Sequence, residues 1–120
     1  MIGAAKGGAA KKGMQALGRL KAGEMNKTEA AYCKHLEHMK AEGLVAWFRF
    51  EGMKFRLADK TFYTPDFAVM RTDGALQMHE VKGFWQDDAR VKIKIAAEMY
   101  PMDFIAIKKG KGGKWEQEVF

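Results

Sequence analysis

Beyond residue 25 the chain moves between helical and strand periodicity. Asn26 is suited to cap a helix, and Tyr32, Leu36 and Met39, with Cys33 beside them, recur at helical spacing until Gly43 stops the run. Residues 44–62 then alternate Phe48, Phe50, Met53, Phe55 and Leu57 with Arg49, Glu51, Lys54 and Arg56, which predicts strand. The phase slips at Gly52, a bend or bulge, and Asp59-Lys60 marks a turn. Two short apolar runs follow at residues 67–70 and 76–81. Asp87 and Asp88 are helix-start acids, and that helix is expected to run through Met99 and stop before Pro101. Here the pattern conflicts with itself. Val91-Lys92-Ile93-Lys94-Ile95 alternates like a strand, but the length and Ala96-Ala97-Glu98-Met99 favour helix. Residues 104–107 read as a buried strand and residues 115–120 as a short terminal one. The order helix, several strands, helix, strand predicts an α/β domain, a mixed central β-sheet flanked by helices.

The two apolar runs are separated by Arg71, Thr72, Asp73 and Gly74, a hairpin signal. A three-residue loop of Thr72-Asp73-Gly74, with Gly74 left-handed, pairs Arg71 with Ala75 and sets Asp66 opposite Glu80. A two-residue Asp73-Gly74 turn would set Asp66 opposite Val81, on the other face. Glu80 and Lys82 share a face with either turn, because strand side chains alternate. Pro65 lacks a ladder donor, so Asp66 is expected where the strand begins or splays from its neighbour.

Two carboxylates and an ammonium thus converge at one end of a hairpin. Mg²⁺ takes oxygen ligands, keeps several waters and is commonly held by one or two carboxylates plus substrate phosphate oxygens, a need that Asp66 and Glu80 fit. Lys82 beside it can orient or deprotonate the attacking water, or stabilise charge on the phosphate in the transition state. Glu29 precedes Tyr32 by three and Cys33 by four, at the N-terminal end of the buried stripe, and so can reach the metal site. It is equally the N3 residue of a capping box begun by Asn26. Cys33, His35 and His38 on one helix lack a fourth partner at zinc-like spacing, so Cys33 reads as core and the histidines as surface. A plainer account of the acids also stands: Glu-Val-Lys is common solubilising alternation on an edge strand, and Pro-Asp is a common turn dipeptide.

Pro65-Asp66 followed by Glu80-Val81-Lys82 resembles the PD-(D/E)XK nuclease signature. Taken with Asn26-Lys27-Thr28-Glu29, Tyr63-Thr64-Pro65-Asp66-Phe67, Glu80-Val81-Lys82-Gly83-Phe84-Trp85 and Asp88-Ala89-Arg90-Val91-Lys92-Ile93-Lys94, the chain resembles a small, mainly phage and prophage family. Its members are described as endonuclease-I-like or Holliday-junction-resolvase-like, and the resemblance covers residues 26–115. It implies a restriction-endonuclease-like core and a Mg²⁺-dependent endonuclease that hydrolyses DNA phosphodiesters, with Mn²⁺ able to substitute. It implies Asp66 and Glu80 as metal ligands, Glu29 as a further ligand or water organiser, and Lys82 as the water-orienting or charge-stabilising group. It also implies a homodimer with two active sites, a preference for branched DNA such as a Holliday junction, and products ending in 5′-phosphate and 3′-hydroxyl. Similar proteins also cut nicked, flapped or plain duplex DNA.

With 120 residues, 48% of them hydrophobic, one domain with a packed core is expected over residues 24–120. The formal charge of +6 favours a polyanionic partner, either nucleic acid or an acidic membrane surface. The basic segments lack an amphipathic apolar face, which argues against the membrane. No apolar run approaches the roughly 20 residues that span a bilayer, and no signal-peptide core is recognisable. The lone Cys33 excludes an internal disulfide, so a cytoplasmic setting is expected, the host bacterial cytoplasm if the chain is phage-encoded. Residues 1–23 carry Lys6, Lys11, Lys12, Arg19 and Lys21 with no acid before Glu24. They read as a basic arm that tracks phosphates or reaches a dimer partner, or as a solubilising tail.

Further basic positions suit phosphate. Arg90 and Lys94 share one helical face, and Lys108, Lys109, Lys111 and Lys114 form a glycine-rich flexible loop able to follow a backbone without reading bases. Arg49, Lys54 and Arg56 could do the same, although a solvated sheet face is the commoner meaning of such alternation. Phe84 and Trp85 either stack on bases at a branch point or belong to the core. Beside the nuclease stands a second class, a basic nucleic-acid-binding accessory protein whose acids are structural.

Overall fold

The computed structural model describes residues 23–83 and 87–120. Residues 1–22 of the basic arm expected over 1–23, with Phe84 and Trp85, lie outside the described residues. Helix α1 (Lys27–Ala41) starts at Asn26, whose side chain accepts from the Glu29 N–H at 2.8 Å while the Glu29 carboxylate accepts from the Asn26 N–H at 2.9 Å. This box satisfies two amides that the first turn would otherwise leave without a partner. Gly43, at φ +82°, then takes the chain out of the helix in a left-handed conformation that a Cβ would penalise.

The strands and second helix follow as β1 (Val45–Phe50), β2 (Phe55–Ala58), β3 (Thr61–Tyr63), β4 (Phe67–Arg71), β5 (Leu76–Lys82), α2 (Asp87–Met99), β6 (Asp103–Lys109) and β7 (Trp115–Val119). Five strands make a mixed sheet in the order β1-β4-β5-β6-β7, in which only β5 and β6 are parallel. Parallel neighbours need a crossover, and α2 supplies it. The alternating stretch at residues 44–62 divides. β1 joins the main sheet beside β4, whereas β2 and β3 pair with each other as a separate hairpin. The division falls at Glu51, with φ +51°, just before Gly52.

Strand alternation gives the sheet two buried faces. On one, Tyr32 and Leu36 of α1 pack against Val45, Phe67, Val69, Val81, Ile105 and Ile107. On the other, Ile93 and Ala96 of α2 join Phe55, Leu57 and Tyr63 of the hairpin in covering Ala68, Met78 and Phe104. Leu36, Phe67, Ile93 and Phe104 are fully buried, each worth about 1.5–3 kcal/mol of transfer free energy. The strand-like run at residues 91–95 is helical and serves two surfaces at once: Ile93 is buried, while Val91 and Ile95 are 53% and 39% exposed on another side of α2.

The lysine-glycine segment is more structured than the flexible loop its composition predicts. Lys108 and Lys109 extend β6, paired with Glu116 and Trp115 of β7. The Gly110 N–H donates to the Lys114 carbonyl at 2.6 Å, and residues Lys111–Gly113 form a 3₁₀ turn inside that connection. Pairing with β7 supplies the order that a glycine-rich composition lacks. Among the described residues, no helix is long and apolar enough to cross a membrane.

Candidate functional site

The turn joining β4 to β5 is the three-residue form. The Arg71 N–H donates to the Ala75 carbonyl at 2.8 Å, the Gly74 N–H donates to the Arg71 carbonyl at 3.0 Å, and Gly74 has φ +93°. The Asp73 carboxylate, accepting from the Ala75 N–H at 3.0 Å, braces the loop. Phe67 therefore lies opposite His79 and Met70 opposite Leu76, which brings Asp66 level with Glu80 one residue before β4 begins. The even positions of this hairpin share the face of Ala68 and Met78, turned to α2 and the β2–β3 hairpin.

Asp66 and Glu80 are buried, only 8% and 6% exposed. The hairpin ladder holds the first of them in place: Asp66 Oδ2 accepts from the Val81 N–H, next to Glu80, at 2.8 Å. Glu80 Oε1 accepts from the Tyr63 hydroxyl at 2.8 Å, and Oε2 lies 3.2 Å from Lys82 Nζ. The Asp66 carbonyl accepts from the Glu51 N–H at 2.7 Å, tying the acid's backbone to the end of β1.

Burial, followed by the charges of Glu80 and Glu29, pushes the Asp66 carboxyl up to about 9. Burial also raises Glu80, against the opposing pull of Lys82, the Tyr63 hydroxyl and the Asp66 amide. Two carboxylates in one poorly hydrated place resist ionising together. Burial alone would lower the Lys82 ammonium. The Glu80 carboxylate beside it, with Asp66 and Glu29, outweighs burial and holds it above the usual lysine range. Lys82 is thus a fixed positive charge, suited to stabilising an anion rather than to accepting a proton near neutrality.

Glu80 and Lys82 open onto a cleft of about 1130 Å³ between the β2–β3 hairpin and α2. Leu57, Thr61 and Phe62 form one wall, and Asp88, Val91, Lys92 and Ile95 form the other. Asn26, at the start of α1, reaches the same cleft. It lies at the C-terminal end of the parallel β5–β6 pair, the side on which open α/β sheets bind ligands.

Of the sequence candidates, Asp66, Glu80 and Lys82 are brought together. Glu29 stands near enough for its charge to be felt at Asp66 and Lys82, but its carboxylate is engaged by the Asn26 amide, as the capping reading expects. Lys108 pairs in register with Lys82 on the neighbouring strand, so the basic β6–β7 connection flanks the site. Lys109 lies over the Trp115 ring, 5.7 Å from its centroid, and Lys111 and Lys114 are exposed beyond it. Arg90 and Lys94 do share a side of α2, but that side turns to β7. Arg90 bonds the Glu118 carboxylate at 2.9 and 3.3 Å, and the Lys94 charge is felt at the same acid. The helix lysine lining the cleft is Lys92.

Two buried groups were missed from sequence. Tyr63 ends the hairpin whose pairing periodicity could not assign, so its reach to Glu80 was not visible. His79 sits on the opposite face, its Nδ1 2.7 Å from the Tyr32 hydroxyl and its Nε2 3.0 Å from Gln77 Oε1. Burial lowers it to about 4, and it acts as a neutral core histidine rather than a site residue.

The chain matches no family model, no curated protein and no solved structure.

Among the described residues, no group of three or more His, Cys, Asp and Glu side chains could hold a metal ion. What is assembled is the Asp66–Glu80 pair. When both are ionised it carries one more negative charge than Lys82 offsets, and its donors are hard oxygens. That chemistry fits a hydrated divalent cation, which needs one or two carboxylates and takes its remaining ligands from water and phosphate.

Proposed function

We propose that this chain is a divalent-metal-dependent endonuclease acting on DNA phosphodiesters, built on a restriction-endonuclease-like core and selective for branched DNA. The observation that carries the reading is the buried Asp66–Glu80 pair with the Lys82 ammonium on the same face, opening to a cleft beside a basic strand connection. Two acids forced together inside a protein are costly unless a cation joins them. Asp66 and Glu80 would hold Mg²⁺ or Mn²⁺, which when bound supplies Lewis-acid polarisation and a more acidic water.

The chain's own groups then divide the work. Tyr63 fixes one Glu80 oxygen and keeps that carboxylate turned to the cleft. Lys82 orients the attacking water and stabilises the negative charge gathering on the phosphoryl oxygens. Water oxygen bonds to phosphorus as the P–O3′ bond breaks, and the proton passes by way of solvent to the departing 3′ oxygen, leaving 5′-phosphate and 3′-hydroxyl ends. Glu29 would join the site through Oε2, since Oε1 is held by the cap. The branch preference and the homodimer that would present two sites to one junction rest on the resemblance of the motif set.

A labelled four-way junction and a linear duplex of the same arms, incubated in Mg²⁺ and in EDTA, test this reading. Cutting of the junction that needs Mg²⁺ and is lost in Lys82→Ala is expected. Equal cutting of both DNAs would keep the enzyme and discard the branch preference. The accessory-protein reading gains weight from one observation, that both Glu80 oxygens and the Glu29 carboxylate already have structural partners. It predicts binding without cutting in any divalent metal.

A further inference from the structure

The two sides of the β2–β3 hairpin differ in chemistry. Phe55, Leu57 and Tyr63 are buried against α2 and the main sheet, whereas Arg56 and Phe62, which alternate with them, are exposed. Alternation therefore turns the Arg56 and Phe62 side chains outward, away from α2. They are cross-strand partners, and Lys54 joins them, its ammonium 4.7 Å from the centroid of the Phe62 ring. Lys60 is exposed at the tip. Asp59, in the turn, is the one acid of residues 53–63, and among the described residues neither Lys54 nor Arg56 forms an ion pair.

The outward face is carried on a firm base. A two-stranded hairpin alone is marginal in water. Here the Phe55 ring meets the Tyr100 and Phe104 rings edge-on at 4.9 and 5.3 Å, and the Tyr100 hydroxyl donates to the Arg56 carbonyl at 2.6 Å. Phe62, 43% exposed, thus stands on a fixed platform between two cations, with no acid on its own face.

An aromatic ring flanked by a lysine and an arginine complements a nucleic-acid strand, whose bases stack on the ring while its phosphates meet the cations. A duplex offers such a face its backbone, because its bases are already stacked on one another. An unpaired strand offers both groups. An acidic membrane would also answer the charge, but one phenyl ring is little apolar area for insertion.

We propose that the outward face of the β2–β3 hairpin is a binding site for single-stranded nucleic acid, with a base stacked on Phe62 and the flanking phosphates held by Lys54 and Arg56. Because Lys54 lies over the ring, a phosphate that takes up its ammonium uncovers the ring for the neighbouring base. The site is on the other side of the hairpin from the Asp66–Glu80 pair. It goes beyond the nuclease reading and needs no metal.

The test is binding to the full chain, in EDTA, of a 12-nucleotide DNA single strand, of the corresponding blunt duplex and of anionic lipid vesicles. Phe62→Ala is expected to weaken single-strand binding about tenfold, the loss of one base–aromatic stack, while duplex binding changes by less than about twofold. Phe62→Trp is expected to restore it, because the new side chain again offers an aromatic face. Lys54→Ala and Arg56→Ala are each expected to lower the log–log salt slope of single-strand binding by about 0.7, one phosphate apiece. Single-strand affinity unchanged by Phe62→Ala, or lost equally from both DNAs, would overturn the proposal, as would binding to the vesicles and to neither DNA. Phe62-dependent single-strand binding by a chain that cuts no DNA in any divalent metal would remove the nuclease reading and leave the hairpin site standing. Metal-dependent cutting without Phe62-dependent binding would do the reverse.

Discussion

Asp66 sits in an environment far from that of its unfolded form. An unfolded aspartate ionises near 3.8, whereas burial and the Glu80 charge push this one up to about 9 in the folded chain without metal. Between those values the folded state binds the extra proton, so stability falls as pH rises and the loss is complete above about 9. His79, lowered to about 4 from 6.5, has the opposite slope but only below about 6.5. The window from pH 7 to 9 therefore belongs to the acid pair. In EDTA the melting temperature is expected to fall across it, and Asp66→Asn to flatten the fall; thermal unfolding at three pH values checks both. If the pair takes Mg²⁺ as proposed, the cation must displace the Asp66 proton, so binding near pH 7 is expected to release a proton, seen as a buffer-dependent heat in calorimetry.

At the scale of elements, α1 separates two duties of Glu29 that coincide in one side chain. Glutamine can fill the N3 place of a capping box, so Glu29→Gln should hold stability within about 0.5 kcal/mol while removing the charge offered to the site. Asn26→Ala removes the cap and should cost about 1 kcal/mol in denaturant unfolding. A drop in cutting by Glu29→Gln at unchanged stability would show the second duty; unchanged cutting would confine Glu29 to the helix end. The β4–β5 hairpin was legible from sequence because its register is local: Asp73 and Gly74 dictate the loop, and the loop dictates which acid faces which. β2–β3 was not, because alternation at residues 44–62 reveals a strand but not its partner. The partner of Arg90 was hidden for a similar reason. Its side of α2 was readable, but that Glu118 stands against it depends on β7 arriving from 28 residues away.

At the scale of the molecule, a run of lysines among the described residues lies at one end of the sheet. Lys82 and Lys108 are paired neighbours, and Lys109, Lys111 and Lys114 continue beyond them along the β6–β7 connection. If this edge lies along a DNA backbone, replacing Lys108, Lys109, Lys111 and Lys114 by alanine should reduce the salt dependence of binding, by about 0.9 in log–log slope for each phosphate no longer neutralised. Titrations from low to moderate salt measure it, and an unchanged slope would place the backbone elsewhere. The formal charge of +6 favours a polyanion but does not show where on the surface the charge would collect.

The separateness of β2–β3 also matters for how such a molecule can change over generations. No strand of the main sheet pairs with this hairpin, and its tip turns at Asp59-Lys60, where Lys60 has φ +56°. Residues inserted there shift no register in β4 or β5, while Tyr63, at the hairpin's foot, keeps its bond to Glu80. The floor of the cleft and the height of its wall are thus free to evolve independently, so lineages of this chain can diversify in what they admit while inheriting the same carboxylates.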